Sequence, residues 1–170
     1  MKLISFDIEI SKILPEFSGN LFDHAPLGIS CAAVAHNDVK FWQGIPNLSK
    51  EENQNLVRDL MAYAEDGYTF VTWNGCGFDF RLLAEESGMV EECGQLALNH
   101  VDLMLLVTFK KGWFLGLDKA LKGAEIAGKV HDVELKNGEI LHDMHGGHAP
   151  KLWADSEYEA VLTYLRGDVE

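Results

Sequence analysis

The stretch Lys2-Leu3-Ile4-Ser5-Phe6-Asp7-Ile8-Glu9-Ile10 reads as a β-strand that carries two carboxylates where a strand is normally apolar. Successive side chains of a strand alternate faces, so Asp7 and Glu9 share one side, about 6.5 to 7 Å apart, while Ile8 and Ile10 point the other way. Like charges that close are unfavourable unless a cation or a shared proton compensates. The pair is therefore a candidate divalent-metal site. Taken alone it reads equally well as the solvated face of an edge strand.

Two further stretches carry acids in places where chemistry is common. Val71-Thr72-Trp73-Asn74-Gly75-Cys76-Gly77-Phe78-Asp79 reads as a strand, a glycine-bearing turn and a helix opening at about Phe78. The junction of a strand's carboxyl end with a helix amino end is where open α/β sheets place their ligands. Asp79 falls in the first helical turn, where the dipole favours an anion, and simple capping is the alternative role. Near the other end of the chain, a helix starting at Asp155-Ser156 and running through Tyr158, Val161, Leu162 and Leu165 places Tyr164 and Asp168 on one face at i, i+4 spacing. A negative charge near a helix carboxyl end is disfavoured, and a bound cation would reverse that penalty.

Other polar residues give weaker signals. Asp102, in His100-Val101-Asp102-Leu103-Met104, reads as a helix cap or as a carboxylate supporting a site. His142-x-x-His145-x-x-His148, with Asp143 and His131 nearby, invites a zinc reading. Gly138, Gly146, Gly147 and Pro150 argue instead for a surface loop across residues 129–151. Asn74 either contacts a substrate or shapes the turn with Gly75. Phe78 reads as a core residue, with substrate contact as its alternative, whereas Trp73, Phe17 and Phe22 could stack on a terminal base, ordinary packing being the alternative for each.

The elements that must position these residues follow from pattern. Residues 11–26, with Pro15, Gly19, Asn20 and Pro26, read as a loop bordering the acidic pair. Leu27 to Ala35 and Val39 to Trp42 read as a hairpin around Ala35-His36-Asn37-Asp38, completing an antiparallel meander of three strands. Ser49 with Glu51 and Glu52 opens a crossover helix that ends near Gly67, and Tyr68 to Thr72 is a strand again. Residues 89–99 read as a helical or irregular link, and Gly112 to Gly128 as one helix or two short ones.

A length of 170 residues, 47% hydrophobic, fits one domain with a substantial core, expected to span 1–170. No apolar run reaches the roughly 18 residues a membrane span needs, and the two early acids exclude a signal peptide, so a cytoplasmic protein is expected. Three cysteines without paired spacing predict free thiols rather than a disulfide framework or structural zinc. The net charge of −13 argues against non-specific attraction to nucleic acid. Acids that held a metal would be neutralised by it and would account for part of that excess. Six of the fourteen Lys and Arg residues fall between Lys110 and Lys136, against four acids in that window, a locally basic region that could guide a phosphate backbone.

Taken in order, Asp7-x-Glu9, Asn74-x-x-x-Phe78-Asp79 and Tyr164-x-x-x-Asp168 resemble the three exonuclease motifs of the DEDD superfamily, which has a ribonuclease H-like fold. The chain looks most like the tyrosine-bearing subgroup, and specifically like exonucleases related to the proofreading domain of family B DNA polymerases. The histidine-bearing subgroup would carry His five positions before the last Asp, where this chain has Thr163.

The resemblance implies an α/β fold with a mixed central sheet flanked by helices, and 3′–5′ hydrolysis of single-stranded DNA or RNA ends. It implies two divalent ions, Mg²⁺ or Mn²⁺, with Asp7 bridging both, Glu9 and Asp168 completing one site and Asp79 supporting the other. Tyr164 would orient the attacking water. A non-catalytic nucleic-acid-binding domain of the same fold and a ribonuclease H-like endonuclease or resolvase are the competing readings. The chain ends at Glu170, two residues past Asp168, so the domain is expected to be cut short there, with Asp168 on a fraying end.

Overall fold

The structure, a computed structural model, describes residues 1–15, 20–126 and 128–170; Phe17 lies outside them. The expected meander is present: β1 (Lys2–Ile10), β2 (Ile29–Ala35) and β3 (Val39–Gln43) pair antiparallel, with Asp7 opposite Ala33 and Glu9 opposite Cys31. β4 (Tyr68–Thr72) lies parallel to β1, and β5 (Val101–Asp102) parallel to β4, giving the order β3-β2-β1-β4-β5. The two acids of β1 are thus on the central strand. The crossover from β3 to β4 is α1 (Lys50–Glu65), opened by a reciprocal capping box between Ser49 and Glu52.

The alternation of β1 decides the two layers. Ile4, Phe6, Ile8 and Ile10 pack with Leu56, Val57 and Leu60 of α1, with Phe80, Leu82 and Leu83 of α2 (Asp79–Ser87), and with Leu96 of α3 (Val90–Leu98). Each such side chain contributes roughly 1.5–3 kcal/mol by leaving water. On the other side Cys31 and Ala33 of β2 pack with Ala160, Val161, Tyr164 and Leu165 of α7 (Tyr158–Val169) and with Trp153 of α6 (Ala149–Ala154). Asp7 and Glu9 belong to this second side by parity, beside two small β2 residues that leave room for them.

Several elements differ from the sequence expectation. Residues Leu103–Lys111 form a helix, α4, whose unbroken apolar start gives no helical period and none of whose residues is buried. α5 (Leu117–Gly123) is the short helix within the expected 112–128 range. The expected loop 129–151 contains a small hairpin, β6 (Val133–Glu134) with β7 (Ile140–Leu141), and the start of α6. α7 begins at Tyr158 rather than at 155–156, because Ser156 takes a left-handed conformation with φ 67 that a helix cannot continue through. Within the 11–26 loop, Leu21–His24 make one 3-10 turn capped by Asn20. Among the described residues no helix is long and apolar enough to cross a membrane.

Candidate active site

Three elements converge on one cavity of about 690 Å³, lined by Asp7, Glu9, Phe78, Lys129, Tyr164 and Asp168 among others. Carboxylate oxygens of Asp7, Glu9 and Asp168 all lie within 4.8 Å of one another. Asp79, the first residue of α2, is 1% exposed and its carboxyl lies within hydrogen-bonding reach of Asp7. The four acids picked from sequence are therefore together, and Asp79 does more than sit at a helix start: no side chain caps α2, and its Oδ1 is buried without a hydrogen-bond partner.

The turn that aims Asp79 is held from several directions. Asn74 has φ 69, and the Thr72 hydroxyl accepts from the Gly75 N–H at 3.0 Å. A Cβ on Gly75 would lie 2.3 Å from that hydroxyl and 2.7 Å from the Thr72 Cβ, so position 75 has no room for a side chain, while one on Gly77 would lie 2.6 Å from the Asn74 Oδ1 and displace that amide. Asp102 accepts from the N–H groups of Asn74 and Cys76 and also from Met104 and Leu105. It caps α4 and fastens the turn at once. Asn74 shapes the turn, while Phe78 is half-buried, meets Phe22 at 6.2 Å between ring centroids and forms a wall of the cavity. Phe22 in turn lies under the Arg81 guanidinium, and Trp73 borders a neighbouring hollow.

Asp168 is not on a loose end. Its side chain is 3% exposed and pairs with Lys129 Nζ at 2.5 Å, and the Ser5 hydroxyl of β1 donates to the Val169 carbonyl one residue further on. Lys129 Nζ also donates to the Tyr164 hydroxyl at 2.6 Å and lies 4.6 Å from that ring's centroid. Gly167 makes this possible, since a Cβ there would stand 2.4 Å from Val130 and push the Lys129 segment off α7. The sequence reading missed Lys129 as a site residue; its one signal was membership of the lysine-rich stretch between Lys110 and Lys136.

The electrostatics follow from burial of like charges. Desolvation, then the Asp168 carboxylate, pushes Asp7 up to about 7. Desolvation and then Asp7 drive both Glu9 and Asp79 well above the ordinary carboxylate range. Asp168 is raised by burial too, with Lys129 opposing. Desolvation works against the Lys129 charge, but Asp168 outweighs it and holds the ammonium above its usual value. Burial and then Asp168 push the Tyr164 phenol up, so it stays protonated at neutral pH. A cluster of oxygen donors, two with buried partnerless atoms, Asp79 Oδ1 and Asp168 Oδ1, and all with raised proton affinity, fits hard divalent cations.

The histidines of 129–151 do not join such a group. His142 pairs with Asp132 at 3.0 Å and His131 with Asp118 at 3.0 Å, while His145 and His148 stack at 3.8 Å between centroids. Among the described residues the Asp7, Glu9 and Asp168 set is the one group of three or more ligand-type side chains close enough for a metal. His145 does line the cavity beside the acids, together with Gly146 and Gly147 of its loop. Cys31 is buried opposite Glu9 and its thiol is pushed up by desolvation, then by that carboxylate; Cys76 and Cys93 are also free thiols.

Comparison with known proteins agrees with this fold. The family model RNase_H_2, described as RNase_H superfamily, matches residues 6–166. No curated protein sequence matches the chain. Among solved structures, the family B DNA polymerase from the hyperthermophilic archaeon Pyrobaculum calidifontis superposes with a TM-score of 0.66 at 16% identity, over 98% of this chain. The chain spans 23% of that polymerase's length, and at this identity the likeness concerns the fold alone.

Proposed function

The chain belongs to the RNase H superfamily, and from that premise we propose that it is a divalent-metal-dependent nuclease of the tyrosine-bearing DEDD group, removing nucleotides from the 3′ end of single-stranded DNA or RNA. The observation that carries this reading is the convergence of Asp7, Glu9 and Asp168 within 4.8 Å, with Asp79 against Asp7. Four carboxyls this close, Glu9 and Asp79 buried, with Lys129 as the one neighbouring cation, would be a liability to the fold without a bound cation.

In this reading Asp7, Glu9, Asp79 and Asp168 would hold the ions, with Asp7 shared, Glu9 and Asp168 supplying one and Asp79 the other. Oxygen ligands suit Mg²⁺ or Mn²⁺. When bound, the ions supply Lewis acidity at the phosphodiester and lower the pKa of a water nucleophile.

The chain's own residues do the rest. Tyr164 keeps its proton, and its ring is locked in the α7 core, so the hydroxyl is a fixed hydrogen-bonding group beside Asp168 that orients the attacking water. Lys129 stays charged; it offsets the acids at rest and offers a cation to a phosphate oxygen. Phe78 gives the terminal base a flat wall, with Asn74 setting its position through the turn. The cavity has the size of a single small-ligand site, which suits a terminal nucleotide.

The test is digestion of 5′-labelled single-stranded DNA and RNA with Mg²⁺ or Mn²⁺. A descending ladder is expected, falling on the order of 10³-fold in rate for Asp7→Ala. Tight binding with no cleavage, or internal cuts in a circular strand, would replace this reading with a binding domain or an endonuclease respectively.

A further inference from the structure

We propose that α4 and the segment leading into α5 form a gripping surface for single-stranded nucleic acid, feeding the strand toward the acid cluster; this deepens the nuclease reading and rests on it. α4 buries none of its nine residues. Leu105, Leu106 and Phe109 recur at i+3 and i+4 intervals and so share one outward stripe, and Trp113 follows in the chain just past the helix end. Phe109 is 93% exposed and Trp113 61%, a concentration of bare aromatic surface that marks a binding face.

Charge identifies the occupant. In a chain of net charge −13, residues 103–124 hold Lys110, Lys111, Lys119 and Lys122 against the single acid Asp118. Among the described residues only Lys122 of these has an ion-pair partner. Lys110 and Lys111 directly follow Phe109 and precede Trp113, an alternation of cations and flat rings along the chain. That alternation suits phosphates and bases of one strand: the rings stack on any base and the ammonium groups follow the backbone. An apolar protein partner would have no use for the lysines.

Position gives the surface its purpose. Met104 on the inner side of α4 lines the same hollow as Asp7, Asp79 and Lys129, as do Phe114 and Leu117 of the following segment, and the exposed ring of Phe114 joins the surface to the cavity where the acids meet. The acids themselves repel phosphate at a distance. A basic aromatic arm next to them supplies the attraction that the chain as a whole lacks.

The full chain carrying Asp7→Asn, which cannot cut, is titrated by anisotropy against a fluorescein-labelled thymidine oligonucleotide of about twelve residues at several NaCl concentrations. Phe109→Ala with Trp113→Ala is expected to weaken binding about tenfold with the salt slope unchanged. Lys110→Glu with Lys111→Glu is expected to weaken it at least as much and to cut the slope by roughly 1.4. On the Asp7 background, both variants are expected to hydrolyse the p-nitrophenyl ester of thymidine 5′-monophosphate at the parental rate but the oligonucleotide about tenfold more slowly. Parental affinity in both variants overturns the proposal, as does a dimer that the aromatic pair dissolves while strand affinity stays unchanged. A chain that cuts neither substrate but binds the strand through these residues keeps the gripping surface and loses the nuclease; equal cutting of the oligonucleotide by all variants does the reverse.

Discussion

On one face of β1, Ile4, Phe6, Ile8 and Ile10 are closed off by α1, α2 and α3; on the other, Asp7 and Glu9 meet Asp79, Asp168 and each other, with Lys129 as the neighbouring cation. The same strand, read at alternate residues, builds a layer that stabilises the fold and a site that strains it. Burial drives both outcomes: leaving water favours the isoleucines and penalises the carboxylates. The margin supplied by the first face is what allows four acids to sit on the central strand and its flanking helices without unfolding the chain.

That division can be broken from the apolar side first. Leu60→Ala, in the layer under α1, is expected to lower unfolding free energy by about 2–5 kcal/mol in urea denaturation while the folded fraction keeps its hydrolytic rate. A comparable loss of rate per folded molecule would mean that the two faces are not separable.

The acid face is sharpened by pH. Asp7, Glu9, Asp79 and Asp168 all titrate higher in the folded chain than in the unfolded one, Asp7 at about 7. The folded chain therefore holds extra protons, and the stability they bring is complete below the unfolded carboxylate range near pH 4 and lost as pH rises through about 7. In EDTA the melting temperature is expected to fall by several degrees between pH 5 and pH 8, and Asp7→Asn is expected to flatten that slope. Mg²⁺ or Mn²⁺ should restore the loss most strongly at the alkaline end, where the ligands are already deprotonated. A melting temperature that rises across this interval in EDTA contradicts the electrostatics described above.

The smallest stability change belongs to Tyr164→Phe, which keeps the buried ring and removes only the hydroxyl. Stability is expected to move by less than about 1.5 kcal/mol, whereas the rate of strand hydrolysis falls roughly 10- to 100-fold. An unchanged rate removes the water-orienting role while leaving the metal site intact.

How far the sequence foretold these regions depends on how local each cause is. The acidic face of β1 was legible because strand alternation alone fixes parity, and Tyr164 with Asp168 because helical spacing does the same. The mixed sheet followed from the hairpin and the crossover helix, except for β5, whose two residues carry no strand pattern. Lys129 was not legible: it reaches Asp168 through the packing of Val130 on Gly167, a tertiary contact with no local pattern. α4 escaped for a different reason: it buries none of its residues, and the unbroken apolar run from Leu103 to Val107 hides the spacing that would mark a helix. The two-residue strands β6 and β7 are too short to produce an alternation at all. The histidine series of 142, 145 and 148 shows the converse, a suggestive spacing on a backbone that does not converge its side chains on one ion.

The most direct measurement is calorimetric titration of Mn²⁺ into the wild-type chain and into Asp7→Asn at a mildly alkaline pH, repeated in buffers of different ionisation enthalpy to count protons. Saturable binding with proton release in the wild type, lost or much weakened in the variant, is the predicted result. Wild-type protein that takes up no Mn²⁺, or a variant that takes it up equally well, would mean that the four carboxyls gathered on β1, α2 and α7 do not hold a metal.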